Sequence, residues 1–412
     1  MKMDNNYKNI SKCLLCKSES LSPVFSAENI ALTGFFPNLD ELDRLKTPIT
    51  LMKCEDCSNI QMKELVNKDQ MFQDYWYRSG TTKSMKNHFE YIADIFGNFK
   101  DKSVLDIGCN DCTFLQILEK RGAYDLWGFE PSVAFADRKI QSKKIINDFF
   151  PPIKSVKMPT FDYIFAISMF YDVERPIEFL KKCKEHMHEK SSLVIEVNYA
   201  KLFFERGNVD MLGQEHLIYY SIDTFKKICE SSGLYLNDFY INDMNGGNII
   251  FICNLFEDES SRLADDLVKE EVEFFENFDF QNFQLKIDSD FQKLLKKINQ
   301  IKESNKNIKI YGASTRGAFI AQYLGLDNKL IDSAVDVQEN KNNKRIPGTN
   351  IRIEMENVCT PPDYYLIFPY QFLDEFIEKN ITYLEAGGKF ITFRPFFEEI
   401  SMKNGELIRV EY

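Results

Sequence analysis

Three groups of residues in this 412-residue chain are of types, and at spacings, that could do chemistry. The first is the adjacent pair Glu215 and His216 in GNVDMLGQEHLIYYS; His216 is one of only four histidines. Imidazole titrates near neutral pH and is the natural general base, and a neighbouring carboxylate sets its tautomer or raises its basicity. A polar pair capping a loop would have the same spacing. The second group is VLDIGCNDCTFL, Val104 to Leu115, where an apolar run reaches Asp106, a turn follows at Gly108, Asn110 and Asp111, and helical spacing begins. The third is two C-x2-C pairs, Cys13 with Cys16 and Cys54 with Cys57.

A strand, tight turn and helix in that order place backbone N–H groups at the C-terminal edge of a parallel sheet, where open α/β sheets bind ligands. The next strand, DLWGFEP, ends at Glu130, whose carboxylate could accept both hydroxyls of a ribose. A pyrophosphate needs the several glycines of GxGxxG, and this turn has only Gly108. It suits an uncharged nucleoside with a charged tail better, which points to S-adenosylmethionine. A core turn with no ligand is the plain alternative. Each C-x2-C knuckle presents two sulfurs from one short loop, so two of them place four thiolates around a structural zinc. Four thiolates leave no open position for catalysis, and a small module gains folding energy from the metal. Reduced surface cysteines are the alternative.

These residues need elements to position them. The expected organisation is a zinc-binding part over 1–72, a cofactor-binding part over 73–256, and a C-terminal α/β part with a helical linker over 257–412. Strand-like runs alternate with helical ones from Val104: SVLDIG, DLWGFE, SKKIIND, FDYIFAISMFY and SLVIEVNYA, then GLYLNDFY with NIIFICNLF. This is the rhythm of a doubly wound sheet with a final antiparallel pair. The end of the fourth strand delivers Ser168, Tyr171 and Asp172 to the edge that carries Asp106; Ser168 is assigned to the cofactor and Asp172 to the substrate. The cluster Tyr75, Trp76, Tyr77, Arg78, Ser79 reads either as an aromatic plug or as a lid whose hydroxyls and guanidinium reach sugar or phosphate oxygens. Tyr219 and Tyr220 could be core or pocket wall, and Asn245 and Asn248 flank a Gly-Gly and could hydrogen-bond a substrate. His88, His186 and His188 look like ordinary helix residues.

The segments EDESSRLADDLVKEEVEFFENFDF and DSDFQKLLKKINQIKESNKN read as charged helices linking two lobes. A second strand–turn–helix unit, IKIYGASTRGAFIAQYLGL, then offers Ser314 and Arg316 at a helix N-terminus that suits an anion. It lacks GK[ST], so ATP hydrolysis is not indicated. A wall that holds a nucleotide-linked substrate accounts for a second lobe most economically.

The formal charge of -12 argues against a nucleic-acid partner. No apolar run approaches a membrane span, and MKMDNNYKNISK has no signal-peptide core, so a soluble cytoplasmic protein is expected. Ten cysteines, four of them in knuckles, fit a reducing compartment better than a disulfide framework.

From Cys13 to about Pro395 the chain resembles the nucleotide-sugar C-methyltransferases. The motifs that carry the resemblance, in order, are the paired knuckles, YWYRSG with SM..H after it, DIGCNDCTFL with GFEPS, and QEHLIYYS. YGASTRG, RIPGT and EAGGKFITFRP supply three more. The resemblance implies a zinc domain, a Rossmann-like methyltransferase domain and a C-terminal α/β domain. It also implies a nucleotide-bound 4-ketosugar as substrate; the sequence leaves monomer or dimer open. His216, paired with Glu215, would remove the proton alpha to the ketone, and Tyr77 would line the pocket. A sugar C–H is far too weak an acid unless a carbonyl can delocalise the charge. Several family positions differ here: Ser168 and Asp172 stand for an asparagine and a histidine, Gly213 for a tyrosine, and NGGN for HGGS. Altered substrate recognition is the expected consequence. An O-methyltransferase using the same base, or a non-catalytic scaffold, are the competing readings.

Overall fold

The computed structural model describes residues 7–72, 77–135, 143–152, 154, 156–258, 265–394 and 396–412. The N-terminal strands are β1 (Tyr7–Asn9), β2 (Leu21–Ala31), β3 (Lys46–Cys54), β4 (Ile60–Met62) and β5 (Glu64–Val66). Antiparallel pairing of β2 with β3 sets Leu21 opposite Cys54, which brings the chain leaving the first knuckle beside the second. The two knuckles repeat one geometry. Lys17 and Ser58, each one residue past a knuckle, have φ of 67° and 62°. Each donates its N–H back to the first cysteine's carbonyl, at 3.0 Å in both cases.

The central sheet holds β6 (Ser103–Ile107), β7 (Asp125–Phe129), β8 (Lys143–Ile146), β9 (Phe161–Ile167) and β10 (Met187–Asn198). A short β11 (Ile218–Tyr219) follows, then β12 (Tyr235–Asn242) and β13 (Asn248–Asn254). The seven strands run in the order β12-β13-β10-β9-β6-β7-β8, parallel from β10 to β8, with β13 antiparallel to both β10 and β12. β6 lies at the centre, buried along its length, and the order reverses there, so its C-terminal end opens on the crevice. β11 belongs to another sheet: it pairs with β4, which extends the knuckle sheet to β11-β4-β3-β2.

A second doubly wound sheet follows, with β14 (Ile308–Tyr311), β15 (Ser333–Asp336), β16 (Ile353–Met355), β17 (Tyr364–Ile367), β18 (Lys389–Thr392), β19 (Glu398–Lys403) and β20 (Glu406–Glu411). Its order is β16-β15-β14-β17-β18-β19-β20. The two Rossmann-like sheets bear out the expected fold class. The helix Phe283–Glu303 is more than a linker. Phe283, Ile287, Phe291, Leu294, Ile298 and Ile301 recur at helical spacing and are all buried. They share one core with Phe25, Ile49 and Leu51 of the knuckle sheet, Ile308 and Ile310 of the second sheet, and Phe319 of the helix Thr315–Tyr323. The small N-terminal module therefore completes its core against the C-terminal part. Among the described residues, no helix is long and apolar enough to cross a membrane.

Candidate active site

A cavity of about 1300 Å³ opens where the C-terminal edges of the two Rossmann-like sheets face each other. One wall is the loop after β6. Its backbone is left-handed at Gly108 (φ 78°), Asn110 (φ 49°) and Cys112 (φ 64°), which swings it over the sheet edge and into the helix Thr113–Lys120. The positive φ favours glycine at 108, and a Cβ there would also press on the Met169 side chain at 3.0 Å. Glu130 is buried and fixed by its neighbours: Oε2 accepts the Asn110 N–H at 2.9 Å and Oε1 the Ser132 N–H at 2.8 Å. Asp106, Gly108, Asn110, Glu130 and Ser168 all line the cavity. An N–H-rich turn with a preorganised carboxylate at the next strand end is the donor and acceptor set that a nucleoside with a charged tail requires.

Asp111 is not among the lining residues. Its carboxylate accepts the Gly80 N–H at 2.9 Å and the Thr113 N–H at 3.1 Å, so it clasps the segment before the sheet rather than the cavity. Asn110 completes the clasp by donating to the Tyr77 carbonyl at 2.9 Å and accepting from the Ser79 N–H at 3.0 Å. Tyr77 lines the cavity, and burial, then the charge of Asp111, pushes its hydroxyl up to about 12. Arg78 is exposed and donates to the Ala134 carbonyl at 3.2 Å, away from the cavity. Tyr75 lies outside the described residues.

The opposite wall carries His216. Its Nδ1 lies 2.8 Å from the Met211 carbonyl, which can only accept, so the proton sits on Nδ1 and Nε2 keeps its lone pair. The Tyr171 ring packs 4.3 Å from the imidazole. Burial holds His216 below its usual 6.5, although Glu215 and the Met211 carbonyl pull the other way; Arg316 adds to the depression. A neutral imidazole with Nε2 free is the form that accepts a proton. Position follows from two backbone bonds one residue on: the Leu217 N–H donates to the Tyr171 carbonyl at 2.9 Å, and the Leu217 carbonyl accepts the Met62 N–H at 2.8 Å. The knuckle module thus grips the histidine segment. Glu215 and Asp172 line the same cavity.

Tyr219 does not. It is buried against Phe203, and its hydroxyl donates to the Met211 carbonyl at 3.3 Å, so it is core. Asn248 is fully buried in β13, where its Oδ1 accepts from Asn198 at 2.8 Å, and it is absent from the lining. Asn245 (φ 53°) lines the cavity. Ser314 lines it too, and its Oγ caps the helix Thr315–Tyr323 by accepting the Gly317 N–H at 3.0 Å. Arg316 is buried on the wall, 2.5 Å from Asp210, and also donates to the Asn245 carbonyl and Gln371 at 3.2 Å. Its charge is already matched.

Sequence reasoning passed over two groups. His88 Nε2 lies 2.8 Å from Glu196 Oε1, both buried, and Glu196 also receives the Ser168 hydroxyl at 3.4 Å. Only partnership explains a carboxylate that buried, and no local spacing announces a pair 108 residues apart. Cys109 and Cys112 form a third C-x2-C inside the cofactor loop, with sulfurs 3.8 Å apart. The knuckle cysteines lie together as expected: all four sulfurs are within 4.8 Å of one another. Asn59 donates to Cys13 Sγ at 3.6 Å, an interaction that favours thiolate.

Comparison with known proteins finds methyltransferase domains over most of the chain. A methyltransferase-domain model matches residues 75–237, and the model of a C-methyltransferase C-terminal domain matches 243–395. The C-methyltransferase NovU of Streptomyces niveus is 23% identical over 415 residues, covering 95% of this chain and 97% of that protein. A tRNA U34 carboxymethyltransferase of Campylobacter jejuni subsp. doylei is 23% identical over 208 residues, 47% of this chain and 64% of its own length. Among solved structures, a putative S-adenosylmethionine-dependent methyltransferase from Listeria monocytogenes is 10% identical with a TM-score of 0.36, covering 42% of this chain and 100% of its own.

Proposed function

We propose, for a chain that is an S-adenosylmethionine-dependent methyltransferase of the C-methyltransferase type, that the methyl acceptor is a carbon next to the carbonyl of a nucleotide-linked ketosugar. The observation that carries this reading is the His216 tautomer. Its Nδ1 is occupied by the Met211 carbonyl, and the free Nε2 belongs to a residue that lines the same cavity as Asp106, Gly108 and Glu130. A base so placed removes a proton from the acceptor, and an acceptor carbon gives up a proton only beside a carbonyl.

Glu130 would take the ribose hydroxyls, Asp106 and the turn at Gly108 and Asn110 would hold the amino-acid end, and Ser168 would close the edge. When bound, S-adenosylmethionine supplies a methyl carbon on a sulfonium sulfur, whose bonding pair leaves with sulfur as a carbon nucleophile attacks. His216 holds the abstracted proton, and Glu215 offsets the charge this creates. Tyr77 closes the cavity from the clasp side. The large cavity and its second wall at Ser314, Arg316 and Asn245 support a substrate longer than a free sugar. Cys13, Cys16, Cys54 and Cys57 would hold a structural zinc, since four converging sulfurs on two matched knuckles fit a closed tetrahedral site. A zinc part over 1–72, a transfer part over 73–256 and a substrate wall over 257–412 go with this reading.

The test is His216→Ala incubated with the cofactor and a panel of nucleoside-diphosphate ketosugars, followed by mass spectrometry and NMR of the product. The variant should bind cofactor by calorimetry as the wild type does, and lose both methyl transfer and solvent exchange at the alpha carbon. Wild-type product with a methoxy rather than a C-methyl resonance would overturn the carbon acceptor; normal turnover by the variant would overturn the base.

A further inference from the structure

The short 3-10 turn Phe170–Asp172 ends β9 and carries a carboxyl group into the cavity beside the base. Asp172 Oδ1 is buried and has no hydrogen-bond partner, and no ion pair reaches Asp172 among the described residues. The groups that act on it are Glu215, the chain neighbour of His216, and Tyr219 and Tyr220 at the end of β11. The charge that bears on it is therefore another carboxylate, Glu215. Arg316, which acts on the His216 side, is matched to Asp210.

Asp172 is half-buried at the cavity wall, and an ionised carboxylate with one oxygen buried without a donor or a cation, next to a like charge, is costly. Protonation removes both costs. Burial, and then Glu215, push the Asp172 carboxyl well above its ordinary range. The neighbouring turn cannot move away, because the Tyr171 carbonyl accepts the Leu217 N–H at 2.9 Å and ties it to the base segment.

We propose that Asp172 acts as a neutral carboxylic acid that donates its O–H to the substrate carbonyl oxygen while His216 Nε2 takes the alpha proton. This rests on the ketosugar reading given above. The electrons balance as follows. The C–H pair becomes the new C=C bond, the carbonyl π pair moves to oxygen, and the Asp172 hydrogen bond strengthens as that oxygen gains charge. The carbonyl re-forms when the carbon takes its methyl group, and the proton on His216 is lost to solvent. Asp172 keeps its own proton throughout, so no co-reactant is needed. A donor aimed at developing oxyanion charge is typically worth about a hundred- to a thousandfold in rate. A carboxylic acid kept neutral by its surroundings can fill that role.

The experiment has two arms. Infrared difference spectroscopy of the full chain without substrate should show the carbonyl band of a neutral carboxylic acid at pH 7, absent from Asp172→Asn. Exchange of the alpha proton in D2O is then followed by NMR with S-adenosylhomocysteine and a nucleoside-diphosphate 4-keto-6-deoxyhexose as the probe. The wild-type rate should rise with pH through the lowered His216 pKa and fall again through the raised Asp172 pKa. Asp172→Asn, which keeps an N–H donor, should lose the falling limb, whereas Asp172→Leu should slow exchange about a hundredfold with S-adenosylhomocysteine affinity unchanged. Absence of the infrared band, or wild-type exchange by Asp172→Leu, overturns the role. A wild-type enzyme that exchanges no alpha proton overturns the ketosugar reading and this role with it, which separates the two failures.

Discussion

Gly213 has no side chain because the Glu215 carboxylate occupies the place where one would go: a Cβ there would lie 2.9 Å from Oε2. The atom in the way is the far end of a flexible side chain, so Gly213→Ala should displace Glu215 without unfolding the protein. We expect kcat to fall about tenfold with Tm nearly unchanged, measured by steady-state kinetics and thermal melting. Unchanged kcat would show that the Glu215 position does not matter to the base. His216 gives a second prediction at this scale. Its pKa is lowered by burial, and the proposed base works in its neutral form, so activity should rise with pH through a midpoint below 6.5. The same depression links to stability. The unfolded state binds the proton more readily, so the contribution of His216 is complete above 6.5 and is lost as pH falls through the window beneath it. An acid limb above 6.5 in the kcat profile would contradict the assignment. Residue types and adjacency made His216 and Glu215 candidates, but the proton's position on Nδ1 depends on the Met211 carbonyl, which no side-chain pattern encodes.

Two elements meet the cofactor loop and the base segment from outside. The clasp after Tyr77 reaches the loop through Ser79 and Gly80, and a Cβ on Gly80 would sit 2.3 Å from Thr113 Oγ1. Gly80→Ala should therefore loosen the loop and weaken S-adenosylmethionine binding about tenfold by calorimetry, which is about 1.4 kcal/mol. An unaltered Kd would make the clasp irrelevant to the cofactor. On the other side, Gln61 pairs with Ile218 in β4 and β11, and its Oε1 accepts the Leu14 N–H from inside the first knuckle at 2.7 Å. Cys16→Ser, or a chelator if the proposed zinc is held there, should then reduce methyl transfer more than cofactor affinity, because β6 and β7 stand apart from the knuckle sheet. Equal loss of both would mean that the module supports the whole fold rather than the base. The knuckles were legible from spacing. Their grip on the histidine was not, since a two-residue strand such as β11 is too short to show a period.

At the scale of the molecule, the RIPGT turn locks the N-terminal module to the second sheet. Arg345 donates to Asp43 at 2.9 Å, the Gly348 N–H donates to the same oxygen at 3.0 Å, and both side chains are nearly buried. Burial alone would raise the Asp43 carboxyl, but the Gly348 N–H and Arg345 together hold it below its usual range. Arg345→Ala leaves that carboxylate with the Gly348 N–H and with Lys46, 3.2 Å from its other oxygen, and we expect a loss of about 1–3 kcal/mol in urea unfolding, less than additive with Asp43→Asn in the double variant. Additive losses would show that the two do not interact. The sequence by itself determined the strand–turn–helix units, the two Rossmann-like sheets and the meeting of four cysteines, because each follows from a local period, a glycine or a fixed spacing. Only the tertiary structure decided that Tyr219 and Asn248 are core, that Asp111 and Arg78 face away from the cavity, and that Asp172 stands unpartnered beside the base. Whether a polar side chain meets solvent, a backbone carbonyl or a ligand depends on chain segments far away along the sequence, and those meet only when the three parts close on one another.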